Sequence, residues 1–140
     1  MIACALELPI RLGRMRSTVC IVDDDQDMRE VLARVVRSVG LEPELYDSAA
    51  AFLRRSVPSP VGCLLLDVQL SGMSGLELLE QLSDGQLEFP VFLISAAHDA
   101  GTMARARRLG AIVVDKPFDV RALARGILAS VRADGDGAAS

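Results

Sequence analysis

Four short apolar runs and a fifth, more polar one, each followed by a stretch of helical spacing, constrain this chain more than any other feature. "TVCIV" (18–22), "GCLLL" (62–66), "PVFLI" (90–94) and "AIVV" (111–114) are of strand length. Fully apolar short runs suit interior strands of a parallel sheet covered on both faces. "PELY" (43–46) is more polar and reads as an edge strand. Met28, Val31, Leu32, Val35, Val36 and Val39 recur at i, i+3, i+4, i+7, i+8 and i+11, with Gly40 as a stop. Val120, Leu123, Ala124, Ile127, Leu128 and Val131 repeat that spacing. Ser48 opens another helix, Ser74 and Glu77 form a capping-box pattern, and a further helix from about Asp99 to Leu109 ends at Gly110. The order β-α, five times over, predicts a single α/β domain built on a doubly wound five-stranded parallel sheet with right-handed crossovers.

Ligands of such sheets bind at the carboxyl ends of the strands, beside the topological switch point. Asp23, Asp24 and Asp25 follow the first strand, Asp67 the third, Ser95 the fourth, and Asp115 and Lys116 the fifth; the edge strand supplies Asp47. Acids, a hydroxyl and a lysine are therefore expected at one rim. The lysine stands out, because 15 residues are Lys or Arg and Lys116 is the sole Lys among them.

The chain has 140 residues, 51 % of them hydrophobic but only 4 % aromatic, so its core must be aliphatic. A formal charge of −4 leaves no electrostatic footprint for a nucleic-acid binder. The three cysteines lack metal-ligand spacing, and Cys20 and Cys63 sit inside apolar runs as small buried hydrophobes would, so a reducing, cytoplasmic location is the default expectation. Glu7, Pro9 and Arg11 interrupt the apolar start, which reads as neither a signal peptide nor a membrane span. Residues 1–16 are expected to form a flexible extension, with Met15 a candidate start, and residues 133–140 a flexible tail.

Carboxylates crowded at one rim repel one another, and a divalent cation relieves the repulsion. Few protein oxygens, retained waters and a phosphate ligand describe a Mg²⁺ site. Asp67 ends its strand in "LLLDVQLSGMSG", ahead of a Gly-rich loop, where a carboxylate could attack phosphorus and become an aspartyl phosphate. A compact ammonium and a hydroxyl would both stabilise that product.

"IVDDDQDMREVL", "CLLLDVQLSGMSGLELL", "FLISAAHD" and "LGAIVVDKPFD" together resemble the receiver domains of bacterial two-component response regulators, within them the FixJ-like group. The resemblance covers about residues 17–132 and implies the CheY-like, flavodoxin-type strand order 2-1-3-4-5. It makes Asp67 the phosphoacceptor and Asp23 and Asp24 the acidic pair. Mg²⁺ would be held by Asp24, Asp67 and the backbone carbonyl of Gln69, with Asp23 acting indirectly. Ser95 matches the conformational Ser/Thr and Lys116 the phosphate-binding lysine, with a cis Lys116–Pro117 bond. A histidine kinase or histidine phosphotransfer protein is then the donor and a downstream protein the target. The fourth helix, fifth strand and fifth helix form the partner or homodimer face. Only residues 133–140 follow the domain, so a stand-alone receiver without a helix-turn-helix output is expected.

The chain departs from the family pattern in three places. Val113 stands where a Tyr or Phe usually turns inward as the Ser/Thr engages phosphate, so the usual switch cannot work in its standard form. Ser71 replaces a common proline and leaves its loop less constrained. Gln69 and Ala97 occupy the positions that govern hydrolysis, and Ala97 offers no polar side chain. Asp25 is expected to be no more than a helix N-cap. His98 reads as a solvated loop residue, and Arg105, Arg107 and Arg108 as a solvated basic face. A haloacid-dehalogenase-type phosphatase would want an acid two residues after its nucleophile, and Gln69 argues against it. A phosphorylation-independent pseudo-receiver remains the rival, favoured by Val113 and opposed by the intact acidic set and Lys116.

Overall fold

The computed structural model describes residues 18–56, 60–84, 87–96 and 99–139, with side chains as far as Arg132. Expectations for residues 1–16, Ala97 and His98 lie outside the described residues. Strands β1 (Thr18–Val22), β2 (Glu42–Tyr46), β3 (Val61–Asp67), β4 (Val91–Ser95) and β5 (Ile112–Asp115) alternate with helices α1 (Gln26–Ser38), α2 (Ala49–Leu53), α3 (Gly75–Leu82), α4 (Ala100–Arg108) and α5 (Val120–Ala139). All strand pairings are parallel and the sheet order is β2-β1-β3-β4-β5, as expected.

The apolar runs of β1, β3 and β4 fill the sheet's interior, because residues on both faces of these strands must find cover. Val19, Ile21, Cys63, Leu65 and Ile94 pack with α1 and α5 on one side, while Cys20, Val22, Leu64, Leu66 and Leu93 pack with the opposite helices. Each such aliphatic side chain, fully buried, contributes about 1.5–3 kcal/mol from water exclusion. The cysteines behave as expected for small apolar residues: Cys20 and Cys63 are both fully buried, and burial pushes the Cys20 thiol up to about 12.

One strand departs from what its composition alone suggests and follows the strand order that the resemblance implied. "AIVV" is as apolar as the central runs, yet β5 is an edge strand, and Ile112 is 47 % exposed. Composition cannot distinguish a strand covered on both sides from an edge that keeps apolar residues for another purpose. The polar β2 is the other edge, as read. There Glu44 accepts hydrogen bonds from Arg55 Nε (2.8 Å), Tyr46 Oη (2.9 Å) and Cys20 Sγ (3.7 Å). The Arg55 guanidinium holds the Glu44 carboxyl below its usual range, and the network fastens the end of α2 to the sheet.

Helix boundaries follow the local signals. Asp25 caps α1 by accepting from Asp27 N at 3.0 Å, Ser48 caps α2, and Asp99 caps α4. Gly40 and Gly110 terminate α1 and α4 with φ of +81° and +99°. Both halves of the capping box are present at α3: Ser74 Oγ accepts from Glu77 N at 3.1 Å, and Glu77 Oε1 accepts from Ser74 N at 2.8 Å. Replacing Ser74 by Ala is expected to lower stability by about 1 kcal/mol, read as a lower urea midpoint with an unchanged slope. At the far end α5 is helical to Ala139, past the boundary at 132 expected from sequence.

Candidate functional site

The carboxyl ends of β1 and β3 lie side by side in the sheet, with Val22 paired to Leu66. The chain leaving β1 and the last residue of β3 therefore emerge together. Carboxylate oxygens of Asp23, Asp24 and Asp67 all lie within 4.8 Å of one another. Asp23 is 1 % exposed and Asp67 7 %, whereas Asp24 is exposed. The third acid of the run, Asp25, turns away to cap α1, as expected of it.

Each acid is positioned by backbone groups. Asp23 Oδ1 accepts from Asp25 N at 2.9 Å, while the Asp23 peptide is fixed by donation of its N–H to Tyr46 O (3.1 Å) and by Arg29 Nη1 on its carbonyl (2.7 Å). Asp67 Oδ1 accepts from Gln69 N at 3.1 Å, which places the peptide of residue 69 beside the carboxylate. Val68 N donates to Ile94 O (3.0 Å) and Gly75 N to Val68 O (3.0 Å), so the turn after Asp67 is tied to β4 and to the start of α3.

Lys116 closes the rim from β5. Its Nζ lies 3.7 Å from Asp67 Oδ1, and its backbone N–H donates to Ser95 O at 2.8 Å. The Lys116–Pro117 bond is cis, as the resemblance implied. Ser95 is fully buried at the end of β4, opposite Asp115. Val113 is half-buried across from Leu93, packed against the cluster on the α3 and α4 side. Asp47 and Asp115 are exposed and fall outside the three-acid cluster. Asp67, Ser95 and Asp115 are the last residues of their strands, one step further in than the sequence placed them.

Burial pushes the Asp23 carboxyl from its ordinary 3.8 up to about 6; the Asp25 amide opposes this and the neighbouring Asp67 carboxylate adds to it. A buried acid facing a second and a third acid is a costly arrangement that a divalent cation would relieve. Donor chemistry fits a hard cation: three carboxylates, no sulfur and no imidazole in the cluster.

Sequence reasoning missed one residue here, and the role of the hydroxyl at another. Gly75 packs so close to the end of β3 that a side chain would strike the backbone of Asp67 and Val68. Its signal was a glycine at the first position of a helix, where almost any other residue has better propensity. The second is Ser71, whose Oγ donates to Asp24 Oδ2 at 3.2 Å.

A doubly wound sheet carrying three acids and a lysine at the ends of its strands is the arrangement the family resemblance implied. The chain belongs to the response regulator receiver domains of two-component signalling, and the model of that family, "Response regulator receiver domain", matches residues 19–127. It is 40 % identical over 116 residues to the transcriptional regulatory protein FixJ of Azorhizobium caulinodans, covering 82 % of this chain and 53 % of that protein. Among solved structures it is similar to the response regulator StyR, with 41 % identity, a TM-score of 0.73, and coverage of 85 % of this chain and 61 % of that one. Full-length FixJ from B. japonicum is similar at 31 % identity and a TM-score of 0.77, over 87 % of this chain and 61 % of that one. The chain spans about half the length of the curated relatives it matches. No described helix is long and apolar enough to cross a membrane.

Proposed function

We propose that Asp67 is the phosphoacceptor of this receiver, taking a phosphoryl group from a phosphohistidine of a histidine kinase or phosphotransfer protein. The observation that carries the reading is the geometry of one carboxylate: Asp67 sits within the three-acid cluster and 3.7 Å from the ammonium of the chain's sole lysine. An Asp67 oxygen attacks phosphorus as the phosphorus–nitrogen bond of the donor breaks. The bonding pair leaves with the imidazole, which takes up a proton. The peptide N–H of Gln69 orients the attacking carboxylate. Lys116 offers a point charge to the arriving phosphoryl oxygens. A Mg²⁺ ion bound by Asp24, Asp67 and the Gln69 carbonyl, with Asp23 behind, would offset charge on the carboxylates and the phosphoryl oxygens. The chain is thus a signalling phosphoacceptor that catalyses only its own modification and its reversal.

Output is by protein contact through the side formed by α4, β5 and α5, which serves a downstream protein or a second copy. The exposed Ile112 and an open groove of about 380 Å³ lined by Phe92, Ile112, Pro117, Phe118, Ala122 and Gly126 support that assignment. Asp115 and Pro117, the residues on either side of Lys116, both line this groove, so the site and this surface share a segment of chain. The basic side chains of α4 divide: Arg105 pairs with Glu80 on α3 at 3.1 Å, while Arg107 and Arg108 are exposed.

Val113 favours a second reading, an interaction module that works without phosphorylation, because it lacks the ring that usually follows the phosphoryl state. Intact mass after incubation with Mg²⁺ and acetyl phosphate separates the two. Wild type is expected to gain one phosphoryl group and Asp67→Asn none. No gain by wild type, where a control receiver reacts, would count against the first reading and turn the search to a constitutive binding partner. Lys116→Ala in the same series separates transfer from readout: mass gain without a change in shape or partner affinity assigns the lysine to readout.

A further inference from the structure

Asp24 is the exposed member of the acidic cluster, and it faces two other carboxylates. Like charges at this separation favour a rotamer that swings the free side chain into solvent. Ser71 opposes that movement. Its hydroxyl donates to Asp24 Oδ2 at 3.2 Å, joining segments 47 residues apart in sequence. It is the hydrogen bond made to the Asp24 carboxylate among the described residues. The turn that carries Ser71 is itself anchored. Gly72 reverses the chain at φ +78°, and beyond it the capping box of Ser74 and the bond from Gly75 N to Val68 O fix the start of α3. A proline at position 71 would bring no side-chain donor at all.

We infer that Ser71 is a positioning residue for the cation site: its hydroxyl holds one oxygen of Asp24 so that the carboxylate stays in the cluster with its other oxygen available to a divalent ion. This inference rests on the reading of Asp23, Asp24 and Asp67 as a Mg²⁺ site. Outer partners that orient ligating carboxylates typically change metal affinity by about 10–100-fold when removed. Ser71 is exposed, so water replaces part of its function, and a loss of about three- to tenfold is expected.

Titration calorimetry with Mg²⁺ alone tests this on wild type, Ser71→Ala, Ser71→Thr and Asp24→Asn, with thermal melts in EDTA alongside. The expected result is weaker Mg²⁺ binding by Ser71→Ala, recovery in Ser71→Thr, near-complete loss in Asp24→Asn, and coincident melts of wild type and both Ser71 variants in EDTA. Coincident melts exclude a general structural effect of the substitution. Equal affinity of Ser71→Ala and wild type, with Asp24→Asn still defective, overturns the positioning role and leaves the cation site standing. A threonine variant as weak as the alanine variant overturns it too, because the hydroxyl would not be the operative group. Absence of Mg²⁺ binding by wild type overturns the underlying reading and the inference with it.

Discussion

Gly75→Ala is expected to destabilise the protein by about 3 kcal/mol, although helix propensity alone favours Ala over Gly by about 1 kcal/mol. The two effects have opposite signs, and the geometry decides between them. A Cβ on residue 75 would collide with the Asp67 carbonyl oxygen and stand 2.7 Å from Val68 Cα and 2.9 Å from the Asp67 carbonyl carbon. All three are backbone atoms, so no side chain can rotate out of the way. The contact is also held together by the hydrogen bond from Gly75 N to Val68 O at 3.0 Å. Relief requires the first turn of α3 to move away from β3, which drags Asp67 and the residue 69 peptide out of register with Asp23 and Lys116. Urea unfolding measures the loss, and Mg²⁺ titration of whatever folded protein remains should show weaker binding. An alanine variant as stable as wild type would refute the close approach.

Asp23→Asn should act in the opposite direction, raising stability by about 2 kcal/mol at pH 7–8, and the gain should vanish in acid. The folded carboxyl titrates near 6 against an ordinary 3.8. Below pH 3.8 the group is neutral in folded and unfolded chains alike, and Asp23 carries no penalty. As the pH rises towards 6 the unfolded chain ionises while the folded one resists, so stability falls and stays low above that pH. An asparagine does not titrate, and its carbonyl can still accept from Asp25 N as Asp23 Oδ1 does at 2.9 Å. Its amide can donate to Asp67. Urea midpoints of the two proteins from pH 3.5 to 8 should therefore converge at the acid end and separate at the neutral end. Mg²⁺ should narrow the neutral difference by stabilising wild type more than the variant. Parallel curves across the whole pH range would show that Asp23 is not the strained member of the cluster.

Both expectations arise from residues that the sequence presents very differently. Asp23 is visible at once, as one of three acids after an apolar run. Gly75 is one glycine in "SGMSG"; its place just after the Ser74 cap hints at a constraint but does not reveal which backbone lies within van der Waals reach. Ser71 lies between them: its departure from the family pattern is legible, but a reading of loop stiffness alone overlooks its hydroxyl. The strands, caps and stops were legible because each depends on a few adjacent residues. The unbroken apolar runs mark β1, β3 and β4, the oxygen of Ser48 or Ser74 marks a helix start, and Gly40 or Gly110 marks a helix end.

The amino-acid sequence by itself determined the βα alternation, the identity of the acids, hydroxyl and lysine at the strand ends, and the membership of a phosphate-handling family, because those signals are local and additive. Tertiary structure alone decided that Gly75 packs against the backbone at the end of β3, that Asp23 is buried while Asp24 stays exposed, and that Ser71 reaches Asp24 across 47 residues. These outcomes depend on how strands register and how closely a helix approaches a strand end, and such distances are set by the packing of the whole sheet.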